Sequence, residues 1–140
     1  MSVGPRELVV GFCDAFERRD VEDVLAYMAA EIVYQNVSLP AMHGIEEAAT
    51  FLTPLLRNTT KIEFKILSIA VSSSGNEVLT ERLDRLHFST GVVDIPLMGI
   101  FVVRQGKIVE WRDYSDINAA MEQFTRAKID LTKPDYGLVR

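Results

Sequence analysis

From Lys61 to Ser115 the chain reads as four long β-like runs, 61–71, 77–88, 92–104 and 107–115, parted only by "SSSGN", "STG" and "QG". Links this short join neighbouring antiparallel strands, because a parallel connection needs a crossover of about a dozen residues. A four-strand meander is therefore the frame on which the rest must pack. Upstream, Leu8, Val9, Phe12, Cys13 and Phe16 recur at three- and four-residue spacing, which predicts an amphipathic helix from Pro5 to about Arg18. "RRD" interrupts it, and Asp20 is placed to cap a short second helix reaching Tyr27 or Met28. "EIVYQNVSLP" alternates as a strand and stops at Pro40. Gly44 then opens a helix, "IEEAATFLTPLLRN", in which Pro54 should kink or restart the turn. After the meander, Asp116 can cap a last helix, "INAAMEQFTRAKI", before a polar tail. This order predicts one α+β domain over residues 1–140, with a curved sheet and helices packed over one face.

The second run of the meander contains a conflict. In "TERLDRLHF", Thr80, Arg82, Asp84, Leu86 and Phe88 share one face, and Glu81, Leu83, Arg85 and His87 share the other. If Leu86 and Phe88 point to the core, Arg82 and Asp84 go with them, and buried charge is costly unless paired and hydrogen-bonded. The last run repeats the pattern, because Val109, Trp111 and Asp113 share a face. Residues two apart on a strand have Cα atoms about 6.6 Å apart, so Arg82 can bond Asp84 and still reach across the sheet. A structural ion pair that fixes register explains these residues as well as a catalytic pair does.

Other chemistries find no support. His43 and His87 have no second histidine or cysteine at ligand spacing, so a zinc site is not expected. No glycine-rich phosphate loop and no nucleophile elbow occurs, and no cofactor is expected. A net charge of −5 without a basic stripe argues against nucleic-acid binding. No apolar run approaches the ~20 residues of a membrane span, and "MSVGPRELVV" lacks the apolar stretch of a signal peptide, so a cytoplasmic location is expected. Cys13, the lone cysteine, sits in the helical apolar pattern and is expected in the core.

Three motifs taken together, "YQN" at 34–36, "ERLDRL" at 81–86 and "WRDYSD" at 111–116, resemble in order and spacing those of the limonene-1,2-epoxide hydrolase family. The resemblance runs from the first helix to the last. It implies a curved, mixed, largely antiparallel sheet whose helices enclose a deep apolar cavity, a fold shared with nuclear transport factor 2-like proteins and ketosteroid isomerases. It implies an Asp–Arg–Asp centre without a cofactor, in which Asp113 is the base, Asp84 protonates the epoxide and Arg82 joins them. Tyr34 and Asn36 would hold the attacking water. Leu86, Ile95, Leu97, Phe101 and Trp111 are expected to face a lipophilic epoxide, terpene-like or larger, although Val92, Met98 and Ile100 give the third run an equally apolar opposite face. A homodimer is expected by the same analogy. Two alternatives remain: a ketosteroid-isomerase-like or cyclase-like proton shuttle, which would not need Arg82 beside Asp84, and a non-catalytic binding module.

Overall fold

The computed structural model describes residues 3–138. The chain opens with helix α1 (Pro5–Glu17), whose buried face is the expected set of Leu8, Val9, Phe12, Cys13 and Phe16, joined by Ala15. Arg19 takes a positive φ of 56° and turns the chain. Asp20 then caps α2 (Val21–Ala26) by accepting from the Asp23 backbone N–H. Strand β1 (Met28–Val37) starts three residues ahead of the expected run, and Met28 and Ala29 are both buried, Met28 in the main core and Ala29 against Val102 and Val109. A two-residue β2 (Met42–His43), too short to show alternation in sequence, pairs back onto Tyr34 and Val33. Helix α3 (Ile45–Asn58) runs through Pro54 without restarting.

The meander follows as β3 (Lys61–Val71), β4 (Glu77–Phe88), β5 (Gly91–Arg104) and β6 (Lys107–Ser115), each antiparallel to the next. Gln105 and Gly106 make the β5–β6 turn with φ of 50° and 73°, the paired left-handed conformation that a tight hairpin favours. Among the described residues the sheet order is β2-β1-β6-β5-β4-β3, with β1 parallel to β6 and all other pairs antiparallel. The sheet is thus mixed and largely antiparallel, and the fold is α+β.

Helix α1 packs its Phe12 and Phe16 rings on the concave face of the sheet, edge-on to Trp111 at 5.1 Å and 5.6 Å. Phe16 stacks on Phe64 at 4.5 Å. Along β4, Thr80, Arg82, Asp84, Leu86 and Phe88 are all buried, so the charged pair does point inward. On β5 the inward register is Val93, Leu97, Gly99 and Phe101, which leaves Val92 and Met98 about half exposed on the convex face.

Helix α4 (Ile117–Arg126) closes the far side. Asp116 caps it by accepting from the Ala119 N–H at 3.0 Å. Strand β6 stops opposite Leu97, and at Asp94 the Gln123 amide bonds both backbone groups of β5, at 2.7 Å and 2.5 Å. The tail beyond it is not merely polar, because Ile129 and Tyr136 are buried in the core.

Candidate active site

The sheet register brings the site together. Across the concave face one row reads Thr80, Gly99, Asp113, Asn36, and the next reads Val78, Phe101, Trp111, Tyr34. Arg82 lies on β4 and Asp113 on β6, two strand spacings or roughly 10 Å apart at the backbone. An arginine side chain spans that gap only if nothing stands on β5 between them. The residue there is Gly99. A Cβ at this position would collide with Asp113 Oδ1 and Arg82 Nη1.

Arg82 is fully buried and its guanidinium is used from several sides. Nε and Nη2 donate to the two oxygens of Asp84 at 3.0 Å and 2.9 Å. The same Nη2 donates to Asp113 Oδ2 at 2.9 Å. Nη1 donates to Thr80 Oγ1 at 3.0 Å, and the Thr80 hydroxyl donates in turn to the Gly99 carbonyl. The rings of Phe64 and Phe101 lie 5.2 Å and 5.4 Å from Cζ, within cation–π range. Asp113 Oδ1 accepts from the Trp111 indole N–H at 2.8 Å, so each of its oxygens has a fixed donor. Tyr34 stacks on Trp111 at 4.1 Å, and Asn36 Nδ2 donates to the Tyr34 hydroxyl at 3.2 Å.

Burial pushes the Asp84 carboxyl up to about 6; Arg82 opposes this and the charge of Asp113 adds to it. The folded protein holds that proton more tightly than the unfolded chain does. Its contribution to stability is therefore present at low pH and lost as pH rises through about 6. Burial works against the Arg82 charge, but Asp113 and Asp84 more than offset it and raise its pKa. Burial, with Asp113 adding to it, also raises the Tyr34 phenol, which stays a neutral hydroxyl. Behind the site, burial raises the Cys13 thiol to about 12 and keeps it protonated.

Above this cluster opens a cavity of about 280 Å³, lined by Tyr34, Asn36, Asp84 and Asp113 on its floor. Leu86, Ile95, Leu97 and Trp111 from the expected set line it. Phe101 does not; it lies in the core with no exposed surface, stacked behind Trp111 at 5.6 Å. Helices α3 and α4 supply other walls through Phe51, Leu55, Ala120 and Phe124. His87, on the opposite face of β4 from Leu86, does not line the cavity and bonds Glu63 at 2.7 Å. Among the described residues no three His, Cys, Asp or Glu side chains are grouped to hold a metal ion.

Sequence patterning missed Thr80, Gly99 and Leu131. An isolated glycine inside a strand does signal close approach of other groups, and Gly99 was legible on that ground. Thr80 lies on the same face as Arg82, but nothing in its residue type marks it as the acceptor for Nη1. Leu131 reaches the cavity from the tail, where no periodicity operates.

The sheet and its closing helices make the NTF2-like, SnoaL-like fold, here with a buried Asp–Arg–Asp cluster at the base of an apolar cavity. Solved structures share the fold at low identity. A putative polyketide cyclase from Xanthomonas campestris pv. campestris is 20% identical, with a TM-score of 0.73 over 84% of this chain and 94% of that one. Residues 3–126 match the family model of the limonene-1,2-epoxide hydrolase catalytic domain, and the chain belongs to that family. Epoxide hydrolase EphG of Mycobacterium tuberculosis is 30% identical over 126 residues, which are 90% of this chain and 83% of that protein. The structure of an M. tuberculosis LEH-like epoxide hydrolase is 32% identical, with a TM-score of 0.71 over 86% of this chain and 89% of that one.

The Gly99 gap is directly testable. Gly99→Ala should lower unfolding free energy in urea by roughly 1–3 kcal/mol, the usual cost of overpacking a filled core, because the methyl group meets the guanidinium and the carboxylate. An unchanged urea midpoint would mean that Arg82 does not need the gap.

Proposed function

We propose that this protein adds water to a lipophilic epoxide in one step, giving a vicinal diol without a covalent intermediate or a cofactor. One observation carries the proposal: a single guanidinium nitrogen, Arg82 Nη2, bonds one oxygen of Asp84 and one of Asp113, each at 2.9 Å, on the floor of an apolar cavity. Membership of the family and the likeness to EphG support the same reading.

The chemistry balances within the cluster. Asp113 takes a proton from water as the water oxygen attacks an epoxide carbon. The carbon–oxygen bond of the ring breaks, and its oxygen takes the proton held by Asp84. One turnover leaves the proton on Asp113 and the charge on Asp84, and return of the proton resets the pair. The raised pKa of Asp84 supports its part as the acid. Asn36 donates to the Tyr34 hydroxyl, so the phenolic proton and the Asn36 carbonyl are the groups that would hold the water in line. The aliphatic wall of Leu86, Ile95 and Leu97 suits a substrate without charge. In this proposal two copies pair across the convex face, where Leu67, Met98 and Tyr114 stand exposed; light scattering should return twice the chain mass.

Asp113→Asn should keep the fold at reduced stability, since an amide meets only one of the two donors aimed at Asp113, and lose at least ~100-fold in kcat, the usual share of general-base catalysis. In the unsubstituted protein kcat/KM should decline as pH rises through about 6, as Asp84 loses the proton it donates. Near-normal diol formation by folded Asp113→Asn would overturn the assignment.

The one-step route is tested by a single turnover in ¹⁸O-labelled water with enzyme in excess. Direct attack by water places label in the diol at once. An ester route would instead give unlabelled diol and leave label on Asp84 or Asp113. A carboxylate whose two oxygens are both held by donors cannot swing onto a ring carbon but can still take a proton from an adjacent water, so labelled diol is the expected product.

A further inference from the structure

The match to the family ends at Arg126, yet the chain beyond it is built into the core and reaches the cavity. Ile129 and Tyr136 are buried. Between them the segment closes on itself, with the Asp130 N–H donating to the Tyr136 carbonyl and the Lys133 N–H to the Asp130 carbonyl, each at 3.1 Å. The Asp130 carboxylate also accepts from the Thr132 N–H and hydroxyl. Tyr136 pins this clasp to the body of the protein. Its ring lies edge-on to Phe88 at 6.5 Å, and its hydroxyl donates to the Phe51 carbonyl on α3 at 3.4 Å.

The clasp brings Leu131 to a particular place. Met42, Phe51 and Leu131 line the catalytic cavity, and the same three side chains line a second depression of about 460 Å³. The second depression opens towards solvent between α3 and the clasp, with Glu47, Thr50, Lys133 and Tyr136 on its other sides. The two spaces are thus parted by one layer of side chains. Met42 belongs to β2 and Phe51 to α3, whereas Leu131 comes from the clasp and packs against the edge of the core. Leu131 is half-buried, so shortening it removes wall without emptying the core.

We propose that Leu131 is the specificity-determining residue that confines the cavity to compact lipophilic epoxides and excludes long-chain ones. This rests on the epoxide hydrolase function proposed above, but the size limit itself is a property of the wall. Removing the wall joins the catalytic cavity to the outer depression, so a chain with its reacting centre above Asp113 could run out past Phe51. Enlarging Leu131 closes the partition further.

The test separates size from chemistry. Trp111 is the single tryptophan of the chain and faces the cavity, so its fluorescence reports occupancy without turnover. Unreactive alkenes serve as probes, cyclohexene for a compact ligand and an internal twelve-carbon alkene for a long one. Leu131→Ala should tighten the long alkene by about tenfold or more and change cyclohexene far less, since each methylene accommodated in an apolar pocket is worth about tenfold or more. Leu131→Phe should move the long alkene the other way, and it leaves Trp111 the only indole reporter. The kcat/KM ratio of the matching epoxides should shift in the same directions. An unchanged ratio of long to compact binding in both variants would overturn the proposal. Shifted alkene binding with no diol from any epoxide would support the size limit and overturn the hydrolase activity instead.

Discussion

Arg82 is the constraint on which the rest of the structure depends. A guanidinium with no exposed surface is stable only if its donors and its charge are both met, since removing one partner of a buried pair costs about 3–5 kcal/mol. Here the partners come from three strands: Thr80 and Asp84 from β4, Asp113 from β6, and the Gly99 carbonyl of β5 through Thr80. That arrangement requires β4, β5 and β6 in one register. A slip of one residue on any of them would turn its contribution to the convex face. The ion cluster and the register of the meander therefore specify each other.

In the proposed reaction the same cluster solves an electrostatic problem. One arginine, one carboxylate and one carboxylic acid sum to no net charge. Moving a proton from water to Asp113 and from Asp84 to the epoxide oxygen leaves that sum unchanged. A low-dielectric cavity resists any step that creates net charge, whereas here charge only moves from one oxygen of the pair to the other. Both of those oxygens bond the same Nη2, so the charge moves around a fixed cation. An aspartate pair without the arginine would face the repulsion of two buried carboxylates whenever both ionised.

Much of this was legible in sequence because it follows from short-range rules. Period-two alternation and short turns marked the four strands of the meander to within a residue, and apolar spacing marked the inward face of α1. Asp20 and Asp116 both cap the helices they were expected to cap. The charge conflict on β4 was visible as soon as Arg82, Asp84 and Leu86 fell on one face. The inward register of β5 was not visible, because Val92, Met98 and Ile100 are as apolar as Val93, Leu97 and Phe101. Only pairing with β4 and β6 decides it. Phe101 was expected at the cavity and lies behind it, since α1 and Trp111 cover that end of the strand. The wall made by Leu131 depends on a tail with neither helical nor strand period, which tertiary packing alone positions.

The Asp–Arg–Asp floor and the cavity wall are thus specified in different ways, and this bears on how such a protein can change. The floor is held by hydrogen bonds with little slack, where even a methyl group at Gly99 has no room. The wall is apolar, draws on β2, α3, α4 and the clasp, and is held by contacts that tolerate exchange of one apolar side chain for another. Substitution at Leu131 changes the space above the carboxylates but touches no donor to either of them. The volume of the cavity is therefore free to vary while the hydrogen bonds of the cluster stay fixed. The clasp is the wall element best suited to such variation, because it lies after α4 and carries no residue of the Asp–Arg–Asp cluster.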